Sequence, residues 1–79
     1  MSVGIRFLGV IRKHQPAAAE DGFWQVEAAG RTLGEVLGQT ALPGAGIGYF
    51  ALVNGRRRLP DYILEDGDRV NVIPLSAGG

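Results

Sequence analysis

One short helix set among extended segments is the feature that most restricts the possible folds of this chain. Thr32 is followed by Glu35 at the spacing of a capping box, in which each side chain bonds a backbone N–H at the helix start. The apolar residues that follow at helical spacing are Leu33, Val36 and Leu37. Glycines in this stretch each weaken a helix by about 1 kcal/mol relative to alanine, so we expect a short helix that ends near Thr40.

The other patterned segments are extended. Apolar periodicity and turn residues predict strands at residues 3–9, 23–28, 49–53, 56–59 and 69–74. Asn54–Gly55 is a strong hairpin signal, because a type I′ turn needs positive φ at both central residues. The segment 49–53 is apolar on both faces, which predicts a strand that is covered on both sides.

This order of elements predicts an α+β fold. A hairpin, a crossover helix and returning strands form a mixed sheet of about four to five strands, with one main helix packed on one face. We expect the first and last strands to lie side by side and parallel at the centre. That arrangement is the ubiquitin-like β-grasp fold.

Size and composition exclude several classes of protein. We expect the 79 residues to form a single domain, 1–79, in which 75–79 are a flexible C-terminal tail. Equal numbers of acidic and basic residues give no net charge, which argues against binding to nucleic acid or to a membrane surface. The sequence has no membrane span or signal-peptide pattern, and the absence of cysteine excludes disulfides and thiolate metal sites. We therefore expect a cytoplasmic protein.

The tail has the composition of a segment that enters a narrow channel. Ser76 and Ala77 are small, Gly78 and Gly79 have no side chains, and the carbonyl of Gly79 is open to attack. From Pro74 to the end of the chain the extended reach is about 20 Å, at roughly 3.3–3.6 Å per residue. A frayed terminus is the simpler interpretation. The functional interpretation is chemistry at the terminal carboxylate inside the active site of a partner.

Several motifs support the functional interpretation. They are Ile5–Phe7 with Ile11–Arg12, Leu52–Arg56, Leu64–Val70, Ile73–Pro74 and the terminal Gly78–Gly79. Together they resemble the β-grasp sulfur-carrier family, which includes the small subunit of molybdopterin synthase and the sulfur carrier of the thiamine pathway. The resemblance covers essentially the whole chain.

The resemblance implies a carrier protein that is not itself an enzyme and has no bound cofactor. An adenylyltransferase similar to ubiquitin-activating enzymes would use ATP to convert the Gly79 carboxylate to an acyl-adenylate. A persulfide donor would then leave a C-terminal thiocarboxylate. The tail would deliver this sulfur to a synthase, either the large subunit of molybdopterin synthase or a thiazole synthase.

Three functions remain open at this stage. The first is sulfur transfer in molybdopterin synthesis, which the chain length and Ile73–Pro74 favour. The second is sulfur transfer for thiamine, thiazole or another biosynthetic pathway. The third is a ubiquitin-like modifier or interaction domain whose tail is conjugated to lysines or only binds.

Candidate partner-binding residues lie on the body as well as the tail. Phe7, Leu59 and Leu75 are interpreted as an apolar docking patch near the tail, with Ser76 and Ala77 continuing into the partner. The alternative for the apolar residues is that some belong to the core. Arg56, in an arginine run, is a candidate contact for an acidic partner, and the alternative is a solvated edge strand.

Residues of other chemical types give no site. The lone His14 has no second ligand or nucleophile in a recognisable spacing, so we expect no metal site. Asp66 and Asp68 flank Gly67, which predicts a turn rather than a metal-binding pair.

Overall fold

A computed structural model describes residues 2–75 of the chain. The strands are β1 (Val3–Phe7), β2 (Trp24–Val26), β3 (Tyr49–Val53), β4 (Arg56–Arg58) and β5 (Arg69–Pro74). The helix α1 spans Leu33–Gly38, and two 3-10 helices span Gly9–His14 and Pro43–Ala45. The predicted flexible tail, except for Leu75, lies outside the described residues.

The strands form one mixed sheet in the order β2-β1-β5-β3-β4. β1 and β5 are parallel neighbours at its centre, with Phe7 opposite Val72, and the other pairs are antiparallel. The α+β prediction and the ubiquitin-like β-grasp arrangement are confirmed. Asn54 and Gly55 both have positive φ, 51° and 86°, as the hairpin prediction requires.

The capping box at the start of α1 is present. The Thr32 hydroxyl accepts the Glu35 backbone N–H at 3.1 Å, and the Glu35 carboxylate accepts the Thr32 backbone N–H at 3.2 Å. At the other end, the Thr40 hydroxyl donates to the Leu37 carbonyl at 2.6 Å, beyond the last helical residue Gly38. Local hydrogen bonds thus set both ends of this short helix.

The core lies between α1 and one face of the sheet. Its buried residues are Val3, Ile5, Phe7, Ile11, Ala28, Leu33, Val36, Leu37, Leu42, Ala51, Val53, Leu64, Val70 and Val72. Phe7 is 0% exposed, so the prediction that placed it in a docking patch is wrong. The period of two that turns Ile5 inward also turns Phe7 inward.

Three predicted strands are shorter than expected, and β3 is less covered. β4 ends at Arg58, one residue before the predicted Leu59. β1 ends at Phe7 because Gly9 has a φ of 62° and begins a 3-10 helix. β2 keeps only three residues, Trp24–Val26. In β3, Phe50 and Leu52 are half-buried on the face away from α1, so the prediction of two covered faces is wrong. Within residues 2–75, no helix combines the length and apolar character needed to cross a membrane.

The capping box predicts a pH dependence of stability. The Thr32 backbone N–H, followed by its hydroxyl, holds the pKa of Glu35 below its ordinary value. The stabilisation is therefore complete above the ordinary glutamate pKa and is lost as the pH falls through the lowered value. We expect the melting temperature of the wild type to fall more in acid than that of Glu35→Gln, measured by circular dichroism at a series of pH values.

Glu20→Gln is the matched control, because Glu20 is exposed and, among the described residues, its side chain makes no hydrogen bond. Equal acid-induced losses for the wild type and Glu35→Gln would contradict this prediction.

Candidate functional site

The chain leaves the sheet at Pro74 and Leu75, which we call the tail root. The Leu75 N–H donates to the Gly48 carbonyl at 2.9 Å. Pro74 faces Gly9, where an added Cβ would lie 3.0 Å from the proline Cγ. The tail root is therefore held from two sides before the tail begins.

Exposed apolar side chains lie at the same end of the sheet as the tail root. β1, β4 and β5 all end there, because β1 is parallel to β5 and β3 is antiparallel to both β4 and β5. Leu75 is 48% exposed and Leu59, just after β4, is 66% exposed. Val10, which follows Gly9, is 61% exposed and was not predicted as a contact residue. No periodic pattern in the sequence distinguishes it.

The sheet face away from α1 has an apolar strip. Phe50 and Ile73 are paired across β3 and β5, and Leu52 lies further along the same face. All three side chains are half-buried. The Arg57 guanidinium lies 4.9 Å from the centre of the Phe50 ring, which is cation–π distance. We call Phe50, Leu52 and Ile73 the open-face strip.

The other half of this face is covered by the protein's own side chains. Phe23 is only 6% exposed, and the guanidinium groups of Arg6 and Arg69 lie 4.7 and 4.9 Å from its ring centre. A Cβ on Gly4 would come within 3.4 Å of Phe23, so the glycine makes room for this ring. Arg69 also pairs with Asp21 at 3.6 Å. The apolar area left for a partner is thus the half formed by β5, β3 and β4.

The three consecutive arginines of β4 have different environments. Arg57 stacks on Phe50, and Arg58 lies 5.1 Å from the centre of the Tyr62 ring on the opposite face. Within the described part of the chain, Arg56 makes neither an ion pair nor a ring contact. Of the three, Arg56 therefore keeps its charge most available for a partner.

The Asp66–Asp68 segment is a turn, as predicted, with Gly67 at a φ of 86°. Asp68 is only 6% exposed, and its carboxylate accepts three hydrogen bonds. The donors are the Asn54 amide at 2.8 Å, the Glu65 backbone N–H at 2.9 Å and the Tyr62 hydroxyl at 3.1 Å. Burial, and then the hydrogen bond to Asp68, raise the pKa of the Tyr62 hydroxyl, so it remains a donor through neutral pH. Asp68 therefore joins the turn between β3 and β4 to the connection between β4 and β5, and it is a structural residue.

Two features of the described residues bear on metal or ligand binding. Among residues 2–75, no group of three or more histidine, cysteine or acidic side chains is placed to hold a metal ion. A groove of about 620 Å³ lies between the end of β1 and the loop that precedes β2. The Gln15 amide closes that loop, accepting from the Phe7 N–H at 2.9 Å and donating to the Gly22 carbonyl at 3.0 Å. Every buried side-chain polar atom in the described residues has a partner, so none marks a ligand in the groove.

A comparison with models of protein families shows which family this chain belongs to. The model of the ThiS family matches residues 5–79, which includes the whole sheet from Ile5 onward and the terminal glycines. The chain belongs to the ThiS family. No curated protein and no solved structure gives a significant match to it.

Membership of the ThiS family gives the chain a sulfur-carrier role. Carriers of the ThiS family are small, non-catalytic proteins that work with an adenylyltransferase and a synthase. The resemblance read from the sequence motifs is thereby confirmed at the level of the family and its fold.

The predicted site residues of this ThiS-family chain fall into three groups. Leu59 and Leu75 are exposed at the end of the sheet where the tail begins, and Arg56 is exposed on the edge strand β4. Phe7 is in the core. The remaining predicted residues lie outside the described part of the chain: Ser76, Ala77, Gly78 and Gly79.

Proposed function

We propose that this ThiS-family chain carries sulfur as a thiocarboxylate at Gly79 and donates it in molybdopterin synthesis. The observation that carries the proposal is the position of the tail root. β5 delivers the chain to one end of the sheet beside exposed apolar side chains, and the family match continues to Gly79. From Pro74, an extended tail reaches about 20 Å, at roughly 3.3–3.6 Å per residue.

The chemistry explains why a carrier of this kind needs a separate activating enzyme. A carboxylate is a poor electrophile, so the adenylyltransferase first joins it to AMP, and pyrophosphate leaves ATP. A persulfide sulfur then attacks the Gly79 carbonyl and AMP leaves. A thiol reductant cleaves the resulting acyl disulfide and leaves the thiocarboxylate. The carrier itself contributes the carboxylate and a surface that holds it in place.

The docking surface in this proposal combines the open-face strip with Leu59 and Leu75. A partner that covers these side chains buries apolar area next to the tail, and removing this area from water favours association. Arg56 supplies an unpaired cation at the rim for an acidic group of the partner. Such a rim charge contributes mainly to association rate and orientation.

The molybdopterin pathway is supported by the sequence motifs. The segments Ile5–Phe7 and Ile11–Arg12 resemble the start of the small subunit of molybdopterin synthase, and Ile73–Pro74 precedes the tail as in that subunit. Family membership alone fits sulfur transfer to a thiazole synthase equally well, so the partner must be measured.

The proposal is tested by intact-mass analysis of the 79-residue chain after incubation with adenylyltransferase, ATP, a persulfide donor and a thiol. We expect one terminal oxygen to be replaced by sulfur. The charged carrier is then offered separately to a molybdopterin synthase large subunit and to a thiazole synthase. Sulfur transfer to the molybdopterin synthase subunit supports the molybdopterin pathway, and sulfur transfer only to the thiazole synthase contradicts it. Isopeptide adducts without sulfur uptake would favour a protein modifier.

Leu59→Glu tests the docking surface. Because Leu59 is 66% exposed, we expect its replacement to leave the fold intact but to weaken binding of the synthase about tenfold, a loss of about 1.4 kcal/mol. The measurement is a titration of the carrier into the synthase by calorimetry.

Ile63→Glu is the matched control for this measurement. Ile63 is 58% exposed, but it lies in the segment that bridges to Thr32 at the start of α1, away from the open-face strip. Equal binding by both variants and the wild type would remove Leu59 from the docking surface.

A further inference from the structure

Gly48 and Leu75 are in close contact at the end of the sheet where the tail begins. A Cβ built on Gly48 would lie 3.0 Å from Leu75 Cδ1, 3.7 Å from Cγ and 3.8 Å from Cβ. The leucine side chain thus lies along the glycine, in addition to the backbone hydrogen bond of 2.9 Å from the Leu75 N–H to the Gly48 carbonyl. Leu75 still remains 48% exposed, so the contact fixes one side of an otherwise open side chain.

The backbone at Gly48 does not itself require glycine. Its φ lies outside the left-handed region, in contrast to Gly46, whose φ is 71°. The three atoms nearest to a Cβ built at position 48 all belong to the Leu75 side chain. The space above Gly48 is therefore occupied first by Leu75, and a side chain there would displace it.

Pro74, the other residue of the tail root, is in contact with Gly9. Gly9, at a φ of 62°, brings its Cα close to the ring of Pro74, and a Cβ there would be 3.0 Å from Cγ and 3.5 Å from Cδ. The proline ring is rigid and its φ is restricted. Together, Gly9 and Gly48 hold the two consecutive residues from which the tail departs.

We propose that Gly48 is a positioning residue that seats Leu75 and thereby sets the direction in which the tail leaves the sheet. This inference rests on the proposed function, because the direction matters only if the tail must enter the active site of a partner. Holding the first residue of the tail reduces the number of orientations that the partner must select. Gly48 acts through Leu75 and contacts neither the activated carboxylate nor the sulfur.

The test is Gly48→Val, which fills the seat, compared with Gly44→Val. Gly44 lies in the same connector between α1 and β3, has no positive φ, and has no atom within 4 Å of an added Cβ. We expect Gly48→Val to lower the kcat of thiocarboxylate formation about tenfold while changing KM less than about twofold, because the tail is misdirected while Leu59 and the open-face strip remain in place. Gly44→Val should match the wild type in both constants.

A double-mutant cycle separates positioning from general damage. Leu75→Ala also empties the seat, and Leu75 is 48% exposed and not one of the buried core residues, so it provides a second variant if Gly48→Val fails to fold. We expect Gly48→Val to add no further loss of kcat in the Leu75→Ala background, since the two changes remove the same contact. Multiplicative losses would overturn the proposal.

A measurement without any partner distinguishes failure of this inference from failure of the proposed function. The chain has no cysteine, so Ala77→Cys can carry a single nitroxide label. The label broadens the NMR signals of backbone amides in the folded body that it approaches. We expect Gly48→Val to change which amides are broadened, and Gly44→Val to leave them unchanged. Identical patterns in all three proteins would overturn the positioning role, even if thiocarboxylate forms normally. If Gly48→Val changes the broadening but the chain never accepts sulfur, the positioning role of Gly48 is supported and the proposed sulfur-carrier function is contradicted.

Discussion

Deletion of Gly79 is expected to abolish sulfur uptake while leaving the folded body unchanged. The truncated chain still ends in a carboxylate, but that carboxylate lies one residue short, about 3.3–3.6 Å, of the position that the activating enzyme serves. Gly79 lies beyond β5, the last element of the sheet, so the free energy of unfolding should change by less than about 0.5 kcal/mol. Intact-mass analysis and urea denaturation of the same samples provide both measurements.

Gly79→Ala is the matched variant for this deletion. It keeps the carboxylate at its full reach and adds only a methyl group, so it should retain slow sulfur uptake if the channel is narrow. A truncated protein that accepts sulfur at the wild-type rate would show that the reactive group is elsewhere.

Asp68→Ala is expected to lower the free energy of unfolding by about 3 kcal/mol. The buried carboxylate accepts hydrogen bonds from Asn54, Tyr62 and Glu65, and its removal leaves those donors without their acceptor. Asn54 lies in the turn between β3 and β4, whereas Tyr62 and Glu65 lie in the connection between β4 and β5, and Asp68 directly precedes the central strand β5. The loss should therefore appear as destabilisation of the whole sheet in a urea titration.

Asp61→Ala is the control for Asp68→Ala. Asp61 is exposed and, among the described residues, its side chain makes no hydrogen bond or ion pair, so its removal should change stability by less than about 0.5 kcal/mol. Similar unfolding curves for the two variants would mean that the three hydrogen bonds at Asp68 have no net effect. A large loss of stability for Asp68→Ala alone would show that the acidic residues of the Asp66–Asp68 turn serve folding rather than metal binding.

Features that depend on neighbouring residues were predicted correctly from the sequence. The capping box at Thr32 and the two-residue hairpin turn at Asn54 both occur as expected. The capping and turn signals are short in range, so they can be read without coordinates. The parallel pair of β1 and β5 joins distant segments, and it was predicted from the order of the elements along the chain.

Side-chain contacts between residues distant in the sequence were missed. Phe23 was assigned to a strand, but it covers Gly4 and stacks between Arg6 and Arg69 on the open face. Phe7 was placed in the docking patch although the alternation of β1 already indicated burial. The difference between Arg56 and its two stacked neighbours likewise depends on which rings lie nearby.

The sequence by itself determined the order of the elements, the ends of α1, the hairpin turn and the ThiS-family motifs that indicate a carrier tail. Only the tertiary structure decided which apolar residues remain on the surface and how the chain leaves the sheet. The reason is physical: periodicity and capping act over a few residues. The seat of Leu75 on Gly48, by contrast, joins residues that only the packing of β3 against β5 brings together.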